Sequence, residues 1–258
     1  PRLVQLAWQL HAADGSLLES ANLIIRPEGF DIPYNSAQIH GITTEKALAE
    51  GLDLKEVLTR FNQVLSKTTI QAGHNIEFDI NIVGAEMIRV FNGQEITSVG
   101  HVDTKDESTE FCALPGGRGG RFKWPKLGEL HHKLFGESFD EAHNAAADVA
   151  ATARCFFELI RIKVIPFSKA NLSEEQYREF LEKNPSIIQA AKVDVGTQVA
   201  DHKQKVEDVS SQSSSVDTAI THDFAHLHCH SQFSVLQSTI YIKNLINRAV
   251  EDGMPAVA

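Results

Sequence analysis

His143-Asn144-Ala145-Ala146-Ala147-Asp148 sets a histidine and an aspartate five residues apart at the head of an apolar-periodic run, Val149, Thr152, Ala153, Phe156, Phe157 and Ile160. That period predicts a helix whose first turn carries both groups. Its three alanines leave room for something to approach the helix surface. Positions five apart stand about 140° apart around a helix axis but only about 7.5 Å along it, so His143 and Asp148 can flank one bound group without pairing directly. This suits a metal-binding carboxylate beside a proton acceptor. About seventy residues earlier, Thr69-Ile70-Gln71-Ala72 reads as a short strand delivering Gly73-His74-Asn75-Ile76-Glu77-Phe78-Asp79, with Asp79 in the first turns of a following helix. The end of a strand before a helix is where α/β proteins place ligands.

Composition narrows the classes. The chain has 258 residues, 42% of them hydrophobic, enough for one large domain or one domain and a piece of another. No apolar run approaches the ~18 residues of a membrane span, and no basic-then-apolar leader opens the sequence; no membrane partner and a cytoplasmic location are expected. Three cysteines, Cys112, Cys155 and Cys229, are odd in number and far apart, which predicts neither a disulfide framework nor a zinc pattern. A formal charge of −10 argues against a protein that coats nucleic acid, since phosphate contacts need concentrated Lys and Arg. It leaves room for a nuclease with a local basic rim. Pro115 to Pro125 is the one locally basic stretch, with Arg118 and Arg121 among four glycines and next to Phe122 and Trp124. Glycines let backbone amides approach phosphates, and arginines with an aromatic suit a single strand.

Other elements follow from local patterns. Leu3 to Leu10 and Leu17 to Ile25 read as strands of a hairpin turned at Asp14-Gly15. Ile39-His40-Gly41-Ile42-Thr43 reads as a turn between two short helices with Gly41 as the cap. Asp53 to Leu65, Leu127 to Phe135 and Ser173 to Lys183 read as amphipathic helices, the last opened by a capping serine with Gln176 three positions on. Ser98 to Asp103 reads as another strand. From residue 193 to 222 the composition turns to Asp, Lys, Gln and Ser with little periodicity, a linker. Beyond it, Phe224 to Ser234 (FAHLHCHSQFS) has a strand's period of two, which puts His226, His228 and His230 on one side in a metal-binding arrangement.

Asn75, Phe78 and Asp79, with His143 and Asp148, resemble the last two motifs of the DEDDh family of 3′→5′ exonucleases; Ile39-His40-Gly41-Ile42 and Asp103-Thr104 resemble further elements in the family's order. The resemblance covers roughly residues 1–165. It implies a ribonuclease-H-like α/β fold with a mixed central sheet flanked by helices. It also implies that Asp79 and Asp148 help hold two divalent ions, Mg2+ or Mn2+, and that His143 removes a proton from the attacking water. Two cations about 3.5–4 Å apart stabilise both the attacking and the leaving oxygen of a phosphodiester. The family places His40, Asn75 and Phe78 at the substrate, to which the basic loop adds Arg118 and Arg121. The family's opening Asp-x-Glu strand has no counterpart, because no aspartate here is followed two positions later by glutamate. Since that strand is central to the sheet, it is expected upstream of Pro1, and the chain as it stands is expected to be weakly active or inactive.

The stretch from Phe224 to Ser234, with a helix from Ile240 to Glu251 and the Gly253 to Ala258 tail, resembles the opening of the polymerase-and-histidinol-phosphatase (PHP) domain that begins bacterial DNA polymerase III alpha subunits. This implies His226 and His228 as metal ligands, for zinc or another divalent ion, in a complete PHP domain. Val235-Leu236-Gln237-Ser238 departs from the family's Leu-Leu-Asp-Gly. The expected organisation is an exonuclease domain over residues 1–167, a helical extension over 168–192, a flexible linker over 193–222 and an N-terminal PHP fragment over 223–258. The expected activity is proofreading hydrolysis of the 3′-terminal phosphodiester within a replicative DNA polymerase III. Its partners would be DNA with a single-stranded or mismatched 3′ end and the rest of the polymerase chain and replisome. A non-catalytic nucleic-acid-binding or scaffold module of the same fold, and an RNA-degrading member of the family, stay open.

Overall fold

A computed structural model describes residues 2–92, 97–137 and 144–190, and the backbone of 223–231. The hairpin of β1 (Leu3–His11) and β2 (Leu17–Ile24) opens the chain. It turns at Gly15, whose φ of 87° a side chain would strain. Two short helices follow, α1 (Tyr34–His40) and α2 (Thr44–Glu50), with Gly41 in the left-handed conformation between them. Next come α3 (Leu54–Leu65), β3 (Thr68–Gly73), α4 (Ile76–Phe91) and β4 (Gly100–Asp103). The Asp53 carboxylate caps α3 by accepting the Glu56 N–H at 3.1 Å. Beyond β4 lie the short α5 (Thr104–Glu107) and α6 (Thr109–Cys112), then α7 (Leu127–Phe135), α8 (Ala145–Arg161), α9 (Glu174–Lys183) and β5 (Asp223–Ser231). At α9 the capping box is complete: Ser173 accepts the Gln176 N–H and Gln176 accepts the Ser173 N–H.

The five strands form one mixed sheet in the order β2-β1-β5-β3-β4. β1 runs antiparallel to both β2 and β5, whereas β3 runs parallel to β5 and β4. The sheet has a central strand between β1 and β3. β5 fills that place, pairing Ala7 with His228 on one side and Ala72 with His226 on the other. A strand's unpaired N–H and C=O groups demand partners when buried, and any segment of extended backbone can supply them. The sheet therefore includes strands from both sides of residue 222. Residues 193–222 and the helix expected at Ile240 to Glu251 lie outside the described residues.

Each face of the sheet has its own core. Leu6, Trp8 and Leu10 pack against Val57, Leu58 and Phe61 of α3 and Ile82, Val83 and Met87 of α4. On the opposite face Ala7 meets Ala145 and Val149 of α8. There Ile70, Ala72 and Val102 meet Phe156, Phe157 and Ile160 of α8, with Leu130 of α7 and Phe180 of α9. Alternation along β1 and β3 thus sends neighbouring side chains to different helices. Burying a side chain the size of Leu or Phe stabilises by about 1.5–3 kcal/mol, so these two layers hold α4 and α8 against the sheet. Among the described residues no helix is long and apolar enough to cross a membrane.

Candidate active site

The link from β3 to α4 is built by three residues in turn. A Cβ on Gly73 would stand 2.7 Å from the Ile76 Cβ, closer than carbon atoms approach, so only glycine lets α4 begin this tightly. Asn75 takes φ 70° and ψ 42°, the left-handed region that asparagine tolerates best among residues with a side chain. Asp103, paired with Gly73 at the end of β4, then satisfies the exposed amides of the turn. Its carboxylate accepts the N–H groups of Asn75 at 2.9 Å and Ile76 at 3.1 Å, and that of Lys105 at 2.9 Å. With its backbone amide held by Asp103, Asn75 directs its side chain elsewhere: Oδ1 accepts the Lys105 ammonium at 2.7 Å.

His74 closes the same turn. The Thr104 hydroxyl lies between the Gly73 carbonyl at 2.9 Å and His74 Nδ1 at 3.1 Å. On the far side of the ring, Nε2 donates to the Pro125 carbonyl at 2.9 Å. Burial pushes the His74 pKa down, against the bond to Pro125 and the nearby Asp103 charge, which pull it up. The base of the Arg118 and Arg121 loop is thereby fastened to the Asn75 turn, while both arginines are exposed.

Asp79 stands in the first turn of α4 at 2% exposure and Asp148 in the first turn of α8 at 7%. A carboxylate is favoured at a helix N-terminus by the peptide dipoles and free N–H groups. The two helices pack against β5 from opposite faces of the sheet. One expectation is corrected here. The Asn144 side chain accepts the Ala146 and Ala147 N–H groups, so α8 starts at Ala145 and its first turn does not include position 143. His143 itself lies outside the described residues.

The remaining candidates are dispersed. Phe78 is 36% exposed, one residue before Asp79. His40 ends α1, its Nδ1 accepting the Ile42 N–H at 3.2 Å, and burial lowers its pKa. His226 and His228 occupy register positions on β5 opposite Ala72 and Ala7. Three groups that sequence patterns did not single out, His74, Thr104 and Lys105, join the turn to the loop. Only Asp103-Thr104 carried a signal, through its place in the motif order.

The family model described as Exonuclease matches residues 13–156, more than half of the chain. The chain belongs to the exonuclease family. A second model, PHP domain, matches residues 226–258. Among solved structures, Escherichia coli Exonuclease I in complex with a dT13 oligonucleotide superposes with a TM-score of 0.52 at 20% identity, over 69% of this chain and 41% of that one. The zinc-bound form of the E. coli ExoI–ssDNA complex gives 0.50 at 21% identity, over 62% and 38%. These likenesses fit the ribonuclease-H-like arrangement of the sheet and helices. The chain spans about two-fifths of the length of those enzymes. No curated protein matched the chain.

Proposed function

We propose that this exonuclease trims DNA from the 3′ end, as the editing partner of a DNA polymerase III. The observation that carries the reading is the pair of buried carboxylates, Asp79 and Asp148, each opening a helix that flanks the central strand of an exonuclease fold. Oxygen donors of this kind suit a hard divalent ion such as Mg2+ or Mn2+. Among the described residues no three His, Cys, Asp or Glu side chains gather closely enough to hold an ion, so the two aspartates do not make a site alone, and no step is drawn through a metal.

In this reading Asn75 and Phe78, beside Asp79 on α4, and His40 contact the terminal nucleotide, Arg118 and Arg121 meet the strand, and His143 receives the proton of the attacking water. The single-stranded oligonucleotides bound by the E. coli neighbours support DNA as substrate, and a site that admits only an unpaired strand would edit, because a mismatched end unpairs more readily. The PHP match over residues 226–258 supports a link to a polymerase, with His226 and His228 as metal ligands where a whole PHP domain is present.

The test is Mg2+-dependent release of nucleotides from a mismatched 3′ end by the protein carrying the Asp-x-Glu strand that the family resemblance implies, and by its Asp148→Asn variant, with DNA binding measured in parallel. The expected result is at least a 100-fold loss of release in the variant with binding kept. Equal, negligible rates with binding kept would instead identify a scaffold that has the fold without the chemistry.

A further inference from the structure

Trp124 is 66% exposed, an unusual place for the largest apolar side chain. It does not dangle. The Lys105 ammonium lies 4.8 Å from the centre of its ring, and the same ammonium is bonded to Asn75 Oδ1 at 2.7 Å. The next residue, Pro125, is tied by its carbonyl to His74 at 2.9 Å. The preceding one, Lys123, donates its N–H to the Leu114 carbonyl at 2.9 Å and its ammonium to Glu129 at 2.7 Å. A rigid indole is thus held open to solvent, one lysine away from the asparagine of the α4 turn.

We propose that Trp124 is a stacking platform for one base of a single-stranded nucleic acid, positioned by Lys105. This rests on the DNA reading above and adds a residue to it. The surrounding charge favours a base over a phosphate. Lys105 is already matched by Asp103 at 3.9 Å and Asp106 at 3.7 Å. Partial burial raises the Asp106 pKa against the pull of Lys105, and the nearby Asp103 and Glu77 charges add to the rise. A phosphate would be repelled there, whereas the uncharged face of a base would not. Every base has such a face, so the platform takes any sequence. Lys105 is a positioning residue, since its ammonium is committed to Asn75 and the indole.

The chain has two tryptophans, and the other, Trp8, is buried in the core, so emission that changes on binding DNA reports Trp124. Decathymidylate is titrated into the 258-residue chain with divalent ions chelated, and affinity is read independently by anisotropy of the labelled oligonucleotide. Saturable quenching is expected, with binding about tenfold weaker in Trp124→Leu and within about threefold of wild type in Trp124→Phe. Lys105→Met should reduce the quenching amplitude more than the affinity. Binding with unchanged tryptophan emission, or equal affinity in Trp124→Leu, overturns the platform and leaves the exonuclease reading standing. No binding by either readout overturns both.

Discussion

The turn from β3 into α4 and the central strand β5 are both essential to the same sheet, yet they are specified in opposite ways. In the turn, every demand is met within about fifty residues: Gly73 permits the close approach to Ile76, Asn75 takes the left-handed backbone, Asp103 accepts three amides and Pro125 accepts His74. β5 arrives from beyond residue 222 and is held by register with strands that precede it by more than 140 residues, eight pairs with β1 and four with β3. Local rules build the site's scaffold, and long-range pairing completes the platform beneath it.

The largest effect should come from removing the long-range partner. A chain ending at residue 192 would leave β1 and β3 as buried edges. Each unsatisfied backbone group there costs about 1–3 kcal/mol, and together they exceed the roughly 5–15 kcal/mol that holds a typical domain. Circular dichroism on heating should show no cooperative transition for the shortened chain. A sharp melt close to that of the full chain would show that β5 is dispensable and break the comparison.

Next in size is the local partner. Asp103→Ala removes the acceptor of three N–H groups at once, a destabilisation of about 4 kcal/mol when the bonds are to a carboxylate; Asp103→Asn, which keeps one acceptor oxygen, should lose about half as much. Urea unfolding measures the difference, and amide exchange at Asn75 and Ile76 localises it. Unchanged exchange in the alanine variant would mean that water serves the turn as well as Asp103 does.

This contrast explains what could be read from residues alone. Caps and periodicity placed α3 at Asp53 and α9 at Ser173, because each is decided by neighbours in sequence. The same reasoning put Asp79 and Asp148 near helix starts. It placed the start of α8 too early, since apolar periodicity does not show that the Asn144 side chain caps Ala146 and Ala147. It also could not foresee that the histidine-rich strand pairs with β1 and β3. A period of two specifies which faces a strand presents and says nothing about its neighbours. The meeting of Lys105 with Trp124 was not legible for a similar reason: nineteen residues apart, they come together where His74 holds Pro125 at the turn.

His11 sharpens the comparison on the β1 side. It is buried at the end of the strand, its Nδ1 donating to the Gly15 carbonyl at 3.1 Å. Burial, partly offset by that bond, pushes its pKa down to about 4. A depressed histidine stabilises the fold fully above its ordinary pKa of about 6.5, and that contribution is lost as pH falls towards 4; the interval corresponds to roughly 3 kcal/mol. Urea unfolding at pH 7 and pH 4.5 should show most of this loss, and His11→Gln should flatten the dependence. An equal slope in the variant would place the titration elsewhere.

The smallest effect belongs to a contact that also spans the chain but lies at its surface. Lys183 of α9 reaches back to Asp14 in the β1–β2 turn, a separation of 169 residues. Partial burial tends to raise the Asp14 pKa, but hydrogen bonds from Lys183 and Ser16 outweigh it and bring the value down to about 2. The Asp14 side chain is 18% exposed and that of Lys183 53%, so solvent reaches and screens the pair from the lysine side and its contribution should fall within about 0.2–1 kcal/mol. A carboxylate with a depressed pKa stabilises above its ordinary value near 3.8 and ceases to do so as pH falls through 2. Lys183→Met should therefore lower the melting temperature slightly at pH 7, and the difference should shrink between pH 4 and pH 2. A constant difference across that range would mean that the stem of Lys183, packed on the hairpin, matters more than its charge. Sequence distance would then be irrelevant to strength: β5 and Lys183 both close long loops, and what separates them is whether the groups they satisfy are buried.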